Sequence, residues 1–208
     1  MALSRRQALS LALFGTLASV QPALARGVAL GGFGLDATTF GLRPGSADDQ
    51  SRVLSAALIE AAKRDQPLIL PPGRYHVANV ALPDGARLIG VPGASRLVAA
   101  MPGPILLAKK VKRVALSGLD FDGLMLRQAA RTGLVALEDV AVASLDELSF
   151  RNAGAIGLAL ARSGGRIERS RFSLIKDSAL YSLDSKGLSV EGNTVEDCGD
   201  NGIQIWRS

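Results

Sequence analysis

Apolar positions recur in pairs along the second half of this chain. Leu116/Phe121, Leu145/Phe150, Ile167/Phe172 and Val190/Val195 each lie five residues apart, and the pairs advance by 29, 22 and 23 residues. Between the two members a third position holds Leu119, Leu148, Ser170 and Asn193. A second short apolar run follows each of the last three pairs: AIGLAL from 155, ALYSL from 179 and GIQIW from 202. Two or three strands of four residues in a period near 22 is the size of one coil of a parallel β-helix. A leucine-rich repeat of similar period would need fixed leucine spacing and an asparagine ladder, and both are absent. The step of 29 then marks a coil that carries a loop, around RQAARTG at 127–133.

A single coil cannot bury its own inward side chains. Stacked at about 4.8 Å, successive coils bury them in columns and leave the outward positions free to vary. The spacing predicts one inward column of Phe121, Phe150, Phe172 and Val195. It also predicts two outward columns, Asp120, Ser149, Arg171, Thr194 and Asp122, Arg151, Ser173, Glu196. Asp120 and Asp122 face the same way, ~7 Å apart by strand geometry. That suits a pair of glycosidase carboxylates or a calcium site, and it suits equally an ion pair between Asp122 and Arg151 on the next coil. Asp120, Asp122 and Arg171 are the candidate catalytic residues, with Lys176 and Asp177 near Arg171 in sequence.

Upstream, GSADDQSRVLSAALIEAAKRDQP reads as a helix over 47–64. Ser46 and Asp49 have capping-box spacing, Asp48 adds charge to the first turn, and Pro67 forbids continuation. Val53, Leu54, Ala57, Leu58 and Ala61 make its apolar stripe. Short strands follow: LIL, RYHV, NVAL and ARLIG. Residues 46–90 resemble the N-terminal segment of pectate-lyase-like right-handed β-helix proteins, in which an Asp-Asp-capped helix closes the open end and an LPPGxY strand starts the first coil. The resemblance implies an all-β fold, a right-handed parallel β-helix solenoid with an N-terminal capping α-helix. It implies no particular chemistry. Period-2 alternation places His76 outward on the first coil.

The N-terminus, MALSRRQALSLALFGTLASVQPALARG, has the layout of a cleavable export signal: Arg5-Arg6, an apolar stretch from Ala8 to Val20, Pro22, and Ala23-Leu24-Ala25 before the cleavage point. An apolar run of about 13 residues is too short to span a bilayer core unaided. SRRQAL resembles a twin-arginine signal, departing from that pattern at Ala8 and Ser10. The resemblance implies the twin-arginine export machinery as partner, a bacterial source, and a periplasmic or secreted destination. The chain is thus divided into a signal over 1–25, an N-terminal segment and capping helix over 26–65, and coils over 66–208.

Composition narrows the chemistry further. Hydrophobic residues make up 48% of the chain and aromatics only 4%, so the core is aliphatic. Loss of the signal removes Arg5 and Arg6 from a formal charge of +5, and no Lys/Arg run marks a nucleic-acid face. Cys198 is the only cysteine and His76 the only histidine, which excludes an internal disulfide and any cysteine- or histidine-built metal cluster. Gly-His-Gly, a paired Asp-Asp after glycine as in polygalacturonases, and the DPHE of alginate epimerases do not occur.

The last segment, GNTVEDCGDNGIQIW, resembles the unit of twin-arginine-translocated β-helix repeat proteins at Asn193, Gly199, Asp200, Asn201, Gly202, Ile203, Ile205 and Trp206. For that family a cofactor-binding role has been suggested, which makes Asp200, Asn201 and Trp206 the candidate ligand-binding residues. Asp200-Asn201-Gly202 is equally turn chemistry, Ile203 and Ile205 continue the core, and Trp206 points outward toward a sugar, a flat cofactor or a further coil. With no second cap in sight, the chain is expected to be the N-terminal part of a longer protein. Three functions stay open: binding, with or without cleavage, of a polysaccharide by a lyase or hydrolase; a non-catalytic repeat module binding a cofactor or small ligand; and a structural envelope or adhesion solenoid.

Overall fold

Among the described residues all but two strands of this protein are two to six residues long, because the backbone turns sharply at each corner. The computed structural model describes residues 34–207, and its strands pair in parallel throughout. The chain winds as a right-handed parallel β-helix with three faces. The first face carries Leu68–Ile69, Ala86–Ile89, residues 113–117 and 142–146, Gly165–Glu168 and Leu188–Glu191, with Leu35–Asp36 paired ahead of them. The second carries Gly73–Val77, Ser95–Ala99, Asp120–Asp122, Ser149–Ala153, Arg171–Ile175 and Thr194–Cys198. The third carries Val80–Ala81, residues 106–109 and 133–138, Ile156–Ala161, Leu180–Leu183 and Ile203–Trp206.

The strands Leu106–Ser117 and Gly133–Asp146 pass from the third face round to the first without a break. They bend at Lys110 and Asp139, whose φ values are 55° and 53°. The same left-handed conformation recurs at this corner in Arg162, Asp184 and Arg207, with φ of 50°, 54° and 52°. These five residues follow directly on Lys109, Glu138, Ala161, Leu183 and Trp206, which pair coil on coil, so they form one corner column. A non-glycine residue held in this region costs roughly 1–3 kcal/mol. Their charges alternate in sign along the column; Arg162 pairs with Asp139 at 2.6 Å and Arg207 with Asp184 at 2.8 Å.

The inward columns follow the anchor spacing. Tyr75, Leu97, Phe121, Phe150, Phe172 and Val195 stand in one register, and Leu68, Leu88, Leu116, Leu145, Ile167 and Val190 in another. Phe121, Phe150 and Phe172 are fully buried and stacked, with centroids 5.0 and 4.8 Å apart. At the corner between the first and second faces the third anchor position forms a hydrogen-bonded ladder. Leu148 N donates to Ser170 Oγ at 3.2 Å and Ser170 N to Asn193 Oδ1 at 2.8 Å, while Asn193 Nδ2 donates to the Ile167 carbonyl at 2.8 Å. Buried backbone groups at a corner lack strand partners, and short polar side chains supply them.

The capping helix is shorter than the sequence pattern predicts. It spans Ser51–Lys63 rather than 47–64, its N-cap is Gln50, and no acidic residue lies in its first turn. The capping box does not form. Asp49 makes a parallel bridge with His76, and Gln50 N donates to the His76 carbonyl at 2.8 Å, so the chain stays extended through residues the box would have made helical. Asp49 instead accepts from the backbone and hydroxyl of Ser51, and Asp48 pairs with Arg43. The helix buries Leu54, Ala57, Leu58 and Ala61 against the first strands of the solenoid. Each of the two leucines contributes about 2 kcal/mol by burial. The export signal over 1–25 lies outside the described residues.

Candidate functional site

The outward columns of the second face stand in the register read from the sequence: Asp120, Ser149, Arg171, Thr194 in one and Asp122, Arg151, Ser173, Glu196 in the other. The ion pair expected between Asp122 and Arg151 forms, and both aspartates are buried beneath such pairs rather than open to solvent, at 7% and 6% exposed. Asp120 accepts from Arg96 at 3.3 Å on the preceding coil. Asp122 accepts from Arg151 Nε at 3.1 Å, Asn152 Nδ2 at 2.9 Å and Leu124 N at 3.2 Å, which ties the coil to its neighbour and starts the loop that follows. Arg171 is exposed and lies 3.7 Å from Glu196. Asp177 does not join it; that residue sits past the corner, beside the third face. His76 is half-buried on the outward side, with Nδ1 3.1 Å from the Ser46 carbonyl.

The third face carries a groove. Its outward positions form two columns, Leu107, Ala136, Ala159, Tyr181, Gln204 and Lys109, Glu138, Ala161, Leu183, Trp206. The alanines keep the floor low in the middle, and the loop over 123–132 raises Arg131 and Thr132 beside it. Two hollows of about 250 and 520 Å³ share Arg131, Tyr181 and Leu183, and so make one continuous trough along the solenoid axis. Four coil steps of roughly 4.8 Å, from Leu107 to Gln204, make it roughly 19 Å long.

Asp177, Ser178 and Asp200 line the larger hollow from the corner between the second and third faces. The two aspartates occupy equivalent places on consecutive coils, Asp200 N donating to the Asp177 carbonyl at 3.2 Å. Asp200 Oδ2 accepts from Gln204 Nε2 at 2.7 Å, and Trp206 Nε1 donates to Gln204 Oε1 at 3.3 Å. Asp177 Oδ1 accepts from the Ser178 hydroxyl at 3.3 Å. Along the opposite wall, the hydrogen bond from Lys109, reinforced by Arg162, holds the Glu138 carboxyl below the usual range.

Of the ligand-binding candidates, Asp200 and Trp206 line the groove, and Trp206 is 54% exposed. Asn201 is exposed in the turn beside them, outside the lining. The groove also draws on Tyr181, Asp177 and Arg131, which the spacing places in a strand, beside Arg171 and in the coil loop without marking any of them as a ligand contact. A signal for the carboxylate pair was present, since Asp177 and Asp200 lie 23 residues apart, one coil period. Cys198 continues the inward column Ala153, Ile175, and burial pushes its thiol up, away from reactivity. Among the described residues no group of three or more His, Cys, Asp or Glu side chains is placed to hold a metal ion. No helix among them is long and apolar enough to cross a membrane.

No protein-family model matches the chain, and no curated protein matches it in sequence. Solved structures do match. One is a protein of Parabacteroides merdae ATCC 43184 described as a candidate glycosyl hydrolase, with a TM-score of 0.58 and 12% identity over 84% of this chain and 96% of that one. Another is the A-module of the mannuronan C-5 epimerase AlgE6 of Azotobacter vinelandii, with a TM-score of 0.57 and 16% identity over 81% of this chain. A third is ORF18 of Geobacillus virus E2, with a TM-score of 0.54 and 13% identity over 78% of this chain. The chain spans 58% of the epimerase module and 41% of the viral protein. At these identities the likeness is one of fold, and the fold it shows is the parallel β-helix.

Proposed function

We propose that this protein is an exported, carbohydrate-active β-helix protein that binds a polysaccharide in the third-face groove. The observation that carries the reading is the pair Tyr181 and Trp206, set on consecutive coils of one trough and flanked by Asp177, Ser178, Asp200 and Gln204. Sugar rings offer an apolar face to an aromatic ring and hydroxyls to carboxylate and amide groups, and the groove supplies both kinds of partner. The candidate glycosyl hydrolase and the epimerase among the structural neighbours agree with this reading. The N-terminal Arg5-Arg6 signal supports export, which cell fractionation of an Arg5→Lys/Arg6→Lys variant tests. For binding, Trp206→Ala and Tyr181→Ala are expected to weaken oligosaccharide affinity about tenfold or more, while the thermal midpoint stays near wild type. Undiminished affinity in both variants would overturn the assignment of the groove.

Cleavage is the finer form of this reading, and Asp177 and Asp200, on consecutive coils, supply the two carboxyl groups that hydrolysis uses. Carboxyl groups flanking a glycosidic bond hydrolyse it when one gives its proton to the departing oxygen and the other takes a proton from the attacking water. Asp177→Asn and Asp200→Asn are each expected to abolish the release of reducing ends while retaining binding. Cleavage on the second face by Asp120, Asp122 and Arg171 would require the Arg96 and Arg151 pairs to open. Activity lost in Asp120→Asn and Arg171→Gln but kept in the groove variants would move the reaction to that face.

A further inference from the structure

The groove is not uniform in charge along its length. Of the six charged side chains that line it, Lys109 and Glu138 pair with each other at 2.9 Å, and Arg207 pairs with Asp184 at 2.8 Å. The other three have no ion-pair partner among the described residues: Arg131, Asp177 and Asp200. They are segregated. Arg131 borders both hollows and stands where they join, whereas Asp177 and Asp200 line only the larger one, at the Trp206 end. Both carboxylates accept from neutral donors, Ser178 and Gln204, and Arg131 makes no hydrogen bond to any side chain among the described residues.

A ligand lying along the trough therefore meets an unsatisfied cation at its middle and two carboxylates at one end. An anionic substituent gains a charge-assisted contact at Arg131. The same substituent one or two rings further along would face Asp177 and Asp200, a like-charge juxtaposition that selects against it. Uncharged rings suit that end, because their hydroxyls donate to carboxylates and their faces stack on Tyr181 and Trp206. Resting on the polysaccharide reading of this groove, we infer that it takes a linear acidic polysaccharide in which charged sugars are interrupted by uncharged ones. Continuous polyuronates are disfavoured, and so are wholly neutral chains.

The test uses the full chain and oligosaccharides of equal length, titrated calorimetrically with EDTA present so that no cation bridges the carboxylates. The probes are hyaluronan oligosaccharides, in which uronate alternates with a neutral sugar, oligogalacturonates, which are continuously charged, and cello-oligosaccharides, which are neutral. Hyaluronan fragments are expected to bind about tenfold tighter than either of the others. Arg131→Gln is expected to lower hyaluronan affinity about tenfold and to flatten its salt dependence, with a clearly smaller loss for cello-oligosaccharides. Asp177→Asn with Asp200→Asn is expected to raise oligogalacturonate affinity about tenfold. Equal affinity for hyaluronan and oligogalacturonate fragments in the wild type, or an equal loss for charged and neutral probes in Arg131→Gln, would overturn the inference and leave saccharide binding intact. Failure of all three probes to bind would overturn the polysaccharide reading together with it.

Discussion

The rings of Phe150 and Phe172 lie one coil apart with their centroids separated by 4.8 Å and their planes at 3°. Parallel coils impose that spacing, since ring-to-ring distance and strand-to-strand distance are nearly the same. Phe150 is the middle ring, because Phe121 stacks on its other side at 5.0 Å. Phe150→Ala therefore opens a cavity between two fixed rings that cannot close it. We expect a loss of about 4 kcal/mol in urea unfolding, against about 1 kcal/mol for Phe150→Leu. Equal losses in the two variants would show that the aromatic stack, which both remove, carries the stability and the filled volume does not.

Asp122 is a joint between coils rather than an exposed charge. With one carboxylate it holds Arg151, Asn152 and the backbone of Leu124. Asp122→Ala leaves a half-buried guanidinium without its partner, and about 2 kcal/mol of stability is expected to go with it. Asp122→Asn keeps an acceptor for Leu124 N, so about half of that loss is expected. Chemical unfolding measures both, and an unchanged midpoint for Asp122→Ala would show that the site is not structural.

The corner trio of Glu138, Asp139 and Arg162 sets an acid limit. A hydrogen bond from Arg162 holds Asp139 below the usual carboxylate range, and hydrogen bonds from Lys109 and Arg162 do the same for Glu138. Folded pKa values below the unfolded ones mean that the contribution is present above about pH 4 and fades as pH falls through the depressed values. Carboxyl chemical shifts followed by NMR should show both groups protonating only below the usual carboxylate range in the wild type. In Arg162→Met, Asp139 should return toward the ordinary range and Glu138 should move only part of the way, since Lys109 remains.

At the alkaline end the group to watch is Tyr75. Its ring is buried, its hydroxyl donates to the Pro71 carbonyl at 2.9 Å, and burial, aided by Asp36, pushes its pKa up to about 12. A phenol raised above its unfolded value contributes stability below about pH 10 that is lost as pH climbs toward the folded value. Phenolate absorbance should include a step near 12 that Tyr75→Phe abolishes. A variant that keeps the late step would reassign it.

What the sequence revealed follows from where repetition is strict. Inward positions repeat because each must fill the same slot in the next coil, so Phe121, Phe150, Phe172 and Val195 could be aligned by spacing alone. The register then carried over to their outward neighbours without error. Burial did not carry over: Asp120 and Asp122 alternate like surface residues, and partners reaching across coils, Arg96, Arg151 and Asn152, close over them. The capping helix was legible as an apolar stripe, but its start was decided by a distant partner, His76, that local capping signals do not reveal. The groove stayed hidden because it arises from small residues, Ala136, Ala159 and Ala161, whose effect depends on the taller loop and corner beside them.

The column of left-handed corners, Lys110, Asp139, Arg162, Asp184 and Arg207, bears on how the solenoid assembles. Neighbours in it attract, whereas residues two places apart carry like charge. A coil that skipped a turn and docked one place out of order would set Lys110 against Arg162, or Asp139 against Asp184, at a corner whose backbone is already held left-handed. In a fold whose coils are nearly interchangeable inside, the alternation works as a proofreading mark: it lets winding proceed in sequence and penalises the shortcut.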